Sequence, residues 1–126
     1  MYYHVRTMDS NFTIPAENLE DSYRAMCALN SGREFSNLES NYDEIYNNSQ
    51  EIFEALGFSS CTFSNGDLLL FSFDGDQGEV ELFLESVAPY AKDGCYIQWM
   101  DDDAYLWKDE FSNGEMHTQY GRVIWE

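Results

Sequence analysis

A change of apolar period near the middle of the chain narrows the folds open to it. In two segments between Leu19 and Leu56 the apolar residues recur at helical spacing, whereas "SCTFSNGDLLLFSFDG", residues 60–75, reads as two short strands around Asn65-Gly66. An Asn-Gly pair supplies the left-handed residues that a tight hairpin needs. Helical period then returns, and strand period follows it to the end. A chain that alternates in this way packs helices and hairpins around one core.

Before the switch, a strand is expected over Tyr2–Met8, and Pro15 suits the first turn of a helix. In that helix Leu19, Tyr23, Met26 and Cys27 recur at i, i+4, i+7 and i+8, with Glu17, Glu20 and Asp21 near its positive end. "NSGREFSN" reads as a loop. Ser40 or Asn41 can cap a second helix, with Asp43 or Glu44 three residues on. Ile45, Ser49, Ile52, Phe53 and Leu56 form its inner stripe, and Gly57 stands at its C′ position. After the hairpin a third helix starts at Glu79, with Val80, Phe83, Leu84, Val87 and Ala88 on one face, and Pro89 ends it. "CYIQWM", "AYLWKDEF" and "EMHTQYGRVIW" follow as strands, turned at Asp101–Asp103 and at Asn113-Gly114. The order β-α-α-β-β-α-β-β-β predicts an α+β fold: an antiparallel sheet of about six strands with helices packed on one face, residues 1-126 forming a single domain. No internal repeat or linker interrupts it.

Charge is the second constraint. The 126 residues hold 24 acids against 6 bases, a formal net charge of −18. A domain of this length is roughly 36 Å across, and 18 charges occupy about 31 Å of duplex DNA. The two carry comparable charge per unit length. Acidity for solubility alone is common, but such surfaces usually mix both signs. Direct nucleic-acid binding is disfavoured, since Arg6, Arg24, Arg33, Lys92, Lys108 and Arg122 are scattered along the chain.

With 44% hydrophobic residues the chain can bury a core, yet it has no run of about 18 apolar residues, so no membrane span is expected. The N-terminal "MYYHVRTMDSNF" lacks a basic region followed by an apolar one, so the expected compartment is the cytoplasm. Cys27, Cys61 and Cys95 are odd in number and widely spaced, and are read as three small, partly buried hydrophobes. They and His4 and His117 show no metal-ligand spacing.

Motifs for catalysis are missing. No GxxxxGK[ST], GxGxxG or GxSxG occurs. "DGDQGEVELFLE", residues 74–85, starts like a calcium loop with Asp74, Asp76 and Glu85, but Glu79 stands where the loop needs glycine. Neither a catalytic residue nor a metal or other cofactor is expected.

"MDDDAYLWKDEF", residues 100–111, sets five acids among Tyr105, Leu106, Trp107 and Phe111, with one Lys. Alternation would put Tyr105 and Trp107 on one strand face and Leu106 and Lys108 on the other. The plain reading packs the aromatics on the core and leaves the acids in the turn. The functional reading makes Asp101, Asp102, Asp103, Asp109 and Glu110 an acidic rim around Tyr105 and Trp107 as anchors for a partner.

The run from "GEVELFLESVAPYAKDGCYIQWM" to "GRVIW", residues 78–125, resembles small α+β proteins of bacteria and their phages. Those share a short helix, an "APY…GSYI"-like turn, a tryptophan-bearing strand and a final "V-W" strand. In size and charge the chain is also similar to anti-CRISPR and anti-restriction proteins, several of which are acidic decoys in the nucleic-acid groove of a host nuclease. That resemblance implies a non-enzymatic, phage-encoded inhibitor and DNA mimic whose partner is a basic, nucleic-acid-binding protein surface. An immunity protein against a cognate toxin has the same physics, and exposed aromatics would equally serve a homodimer. A structural or regulatory domain, acidic only for solubility, is the remaining alternative.

Overall fold

The computed structural model of the chain describes residues 4–30, 45–78 and 80–121. Its core element is an antiparallel sheet of seven strands with helices on one face, an α+β architecture. The longest strand, β4 (Leu68–Asp76), follows β3 (Phe58–Thr62) through the expected Asn65-Gly66 turn, where Gly66 has φ 94°. On the other side of β4 lie β1 (His4–Ser10) and β2 (Phe12–Ile14), two halves of one bent strand. β1 pairs His4–Arg6 with Asp76–Asp74, and β2 pairs Phe12–Ile14 with Leu70–Leu68. Between these stretches side chains replace the ladder. Thr7 Oγ1 accepts the Phe73 N–H at 3.1 Å, and the Ser10 hydroxyl donates to the Leu70 carbonyl at 2.6 Å. The strand expected over Tyr2–Met8 therefore continues, bent, to Ile14, which makes seven strands of the expected six. β5 (Cys95–Asp101), β6 (Leu106–Ser112) and β7 (Glu115–Tyr120) extend the sheet from β1, each antiparallel to the last.

Among the described residues three helices cover the apolar face. α1 (Leu19–Asn30) is entered through a 3-10 turn, Ala16–Asn18, directly after Pro15. α2 (Ser49–Leu56) is capped by Asn48, whose side chain accepts the Glu51 N–H at 2.9 Å, while Glu51 Oε1 accepts the Asn47 N–H at 2.9 Å. The pair resembles a capping box, except that Glu51 reaches Asn47, one residue before the cap, and it stands C-terminal to the expected one. Ser40 and Asn41 themselves lie outside the described residues. Ile45, expected on the inner stripe, precedes α2 and is 41% exposed. α3 (Val80–Val87) runs into a 3-10 turn, Ala88–Tyr90, that holds Pro89, and Glu79 lies outside the described residues. α1 packs against both α2 and α3, and a buried hydrogen bond of 2.5 Å joins Ser22 to Ser49 across the first of these contacts.

Burying alternate strand residues stabilises the layer by roughly 1.5–3 kcal/mol per large side chain. Here the buried set is largely aromatic. Phe111 packs on Phe12 at 4.7 Å between ring centroids, and the rings continue through Phe53, Phe58 and Phe73 to Trp99. Cys95 is buried and Cys27 half-buried, but Cys61, read as partly buried, is exposed on β3 at the sheet edge. No described helix is long and apolar enough to cross a membrane.

Candidate functional site

The turn between β5 and β6 is built by one side chain. Asp101 Oδ1 accepts the N–H groups of Asp103 and Tyr105, each at 2.9 Å, and the backbones of Asp101 and Tyr105 bond at 3.1 Å. Ala104 completes the reversal in the left-handed region, φ 65°. Asp102 and Asp103 are thereby held out at the tip, both exposed. Tyr105 precedes β6 rather than lying in it, 68% exposed, so it does not continue the strand face of Trp107 as alternation had it.

Around this turn gather further charges. His4, at the start of β1, contacts Asp102 at 3.1 Å and Asp74, on β4, at 2.5 Å, tying three segments together. The hydrogen bond to Asp102 first, then that to Asp74, holds the imidazole pKa above its ordinary value. Register places Arg6 opposite Asp74 and His4 opposite Asp76 on the face the helices leave open. Acids at the other described positions are distributed over helices, turns and strands, Asp9, Glu110 and Glu115 among the last.

Beneath the turn, on the helix side, a cavity of about 380 Å³ opens between α3 and strands β5–β7. Trp99 and Trp107 stack in its wall, 6.2 Å apart and 14° from parallel, with Tyr105 and Tyr120 beside them. Asp109 lies within it at 4% exposure, contrary to its expected place on an exposed rim. The reason is strand parity: Trp107, Asp109 and Phe111 share the face that packs under the helices. Trp99 Nε1 donates to Asp109 Oδ2 at 3.0 Å and Thr118 Oγ1 to Asp109 Oδ1 at 2.6 Å. Burial pushes the Asp109 carboxyl above the usual carboxylate range; the hydrogen bonds from Thr118 and Trp99 oppose this, and the Glu85 carboxylate adds to it. Glu81, on α3, is raised too, by burial first and then by Asp109 and Glu85.

Of the acids and aromatics singled out from sequence, the structure thus brings Asp101, Tyr105, Trp107 and Asp109 to one cavity, and leaves Asp102 and Asp103 at the exposed tip of the turn, outside its lining. Glu110 is separate. It points to the open face, where Lys108 Nζ lies 3.5 Å away and also over the Tyr96 ring. Sequence reasoning missed Trp99, Thr118 and Glu81. A tryptophan facing a carboxylate across neighbouring strands was the available signal, but strand register is needed to read it. The three cysteines and His117 do not line the cavity. Among the described residues no three His, Cys, Asp or Glu side chains converge to hold a metal ion.

Comparison with known proteins adds no relative: no family model, curated protein or solved structure matches the chain. What the arrangement can do is therefore argued from its chemistry. It offers carboxylates and aromatic faces, with no Lys, Arg or His among the described lining residues. In charge and shape such a surface is suited to a cationic group.

Proposed function

We propose that the protein is a non-enzymatic acidic binding protein whose β5–β6 end engages a basic protein surface. The concrete form is a phage-encoded inhibitor of the anti-CRISPR or anti-restriction type, acting in the cytoplasm of the host. Its carboxylates would pair with the Lys and Arg that a host nuclease uses to hold a nucleic-acid backbone. The observation that carries this reading is the built turn: Asp101 ties down Asp103 and Tyr105, so two carboxylates and an aromatic ring are presented to solvent in one fixed arrangement. Preorganised groups of this kind lose little side-chain freedom on binding. Clustered charge of one sign also speeds encounter with the opposite sign and makes it sensitive to salt.

Asp101 builds the turn, so the test leaves it in place. Tagged protein and the double variant Asp102→Lys, Asp103→Lys are used to capture proteins from host lysate, with elution by a salt gradient. A single basic nucleic-acid-binding protein, retained by the wild type, released at moderate salt and lost with the variant, supports the reading. Identical capture by both forms, or only a mixture of ribosomal and other basic proteins, contradicts it.

A further inference from the structure

We infer that the cavity beneath the β5–β6 turn is a binding site for a guanidinium group. The inference concerns the cavity itself and holds whether the group belongs to a free molecule or to an arginine of a bound protein. At about 380 Å³ the cavity lies within the range of small-ligand sites. Its walls match both properties of guanidinium, which is planar and always charged. The Trp99–Trp107 pair and Tyr105 give the aromatic faces over which such a plane stacks. Asp109 gives the carboxylate. Each of its oxygens accepts one hydrogen bond, from Trp99 and from Thr118, whereas a carboxylate has about four acceptor positions. Two positions remain for a fork of N–H donors.

The charge balance points the same way. Glu81, Asp101 and Asp109 line the cavity, and no described lining residue is a cation. The upward shifts of Asp109 and Glu81 follow from burial among like charges, which an incoming cation would relieve. A neutral ligand of the same shape would gain the stacking but not this relief.

The test is a titration of the full chain with Nα-acetyl-argininamide, followed by NMR at the Trp99 indole N–H, which is donated directly to Asp109. Nα-acetyl-citrullinamide, its neutral ureido analogue, is the control. The titration is repeated in Arg122→Gln, which removes the arginine that follows the lining residue Gly121 in sequence. The arginine probe is expected to shift the Trp99 signal in at least one of these proteins, with the citrulline probe about tenfold weaker or more. Asp109→Asn should weaken the arginine probe by a similar factor. Glu81→Gln, at an exposed position of α3, should weaken it about two- to threefold, and keeps the test decisive if the buried substitution fails to fold. Saturation by the small probe at micromolar concentration marks a free ligand as the source. Millimolar binding that tightens when the same arginine is carried in a basic peptide marks a partner's side chain. No Trp99 shift in either protein, or equal shifts from the two probes, would overturn the inference.

Discussion

Single residues decide more here than their number suggests, and Asp109 is the clearest case. Its folded-state pKa is raised, so the native protein holds that proton more tightly than the unfolded chain does. By linkage, stability falls as pH rises from the ordinary carboxylate value through the folded pKa, and the carboxylate form is the destabilised one. Asp109→Asn should therefore raise the unfolding temperature at pH 7 and lose that advantage near pH 4, measured by thermal melts across the range. The amide fits, since its oxygen can accept from Trp99 while its nitrogen donates to the Thr118 hydroxyl. Gly57 is the opposite case. It has φ 124°, and a Cβ there would meet Phe73 Cε2 at 2.9 Å, inside the aromatic core. Gly57→Ala should cost about 2 kcal/mol or more from the left-handed backbone and the displaced ring together, seen as a lower denaturation midpoint at unchanged slope.

At the scale of elements, the three-strand meander and the hairpin were legible because turn chemistry is local. Asn65-Gly66 and Asn113-Gly114 mark turns by backbone preference alone, and both are found, Asn113 at φ 54° and Gly114 at φ 77°. α3 was legible from its apolar stripe, and all of Val80, Phe83, Leu84 and Val87 are buried. What could not be read depends on contacts distant in sequence. The bend between β1 and β2 rests on Thr7 and Ser10 bonding to β4, 60 or more residues away. Asn48 caps α2, whose first residue, Ser49, bonds to Ser22 of α1, 27 residues away. The site was half legible for the same reason: the acids and aromatics were visible in residues 100–111, but only the pairing of Trp99 with Trp107 across β5 and β6 shows which face Asp109 takes. The turn itself gives a prediction at this scale. Asp101→Asn keeps an oxygen for the Asp103 and Tyr105 N–H groups, whereas Asp101→Ala removes it. Partner or peptide affinity should fall about threefold or more for the alanine variant beyond the loss for asparagine, measured by calorimetry.

Over the whole molecule the perturbed groups share one direction. His4, Glu81, Cys95, Tyr96 and Asp109 are all shifted upward, by burial first at Glu81, Cys95 and Asp109 and by hydrogen bonds to carboxylates first at His4 and Tyr96. Each means that the folded state binds its proton more tightly. His4 contributes stability that is fully present below its unfolded value and is lost as pH rises through its higher folded value, because the pairs with Asp102 and Asp74 require imidazolium. The unfolding temperature should therefore rise as pH is lowered from 8 to 6. Added salt should raise it at pH 8, where screening relieves self-repulsion. A flat response to both would show that charge is dispersed without consequence. The proposal made for the site is narrower: cationic groups are received at one end of the molecule, not wherever acids stand. Chemical-shift mapping with a short arginine-rich peptide is the test. Shifts should concentrate on residues 101–107, Glu81, Asp109 and the Trp99 indole, with saturation at one peptide per chain. Comparable shifts at Glu17, Glu20 and Asp21 on the helical side and at Asp67 and Asp93 at the far end of the sheet, without saturation, would contradict it.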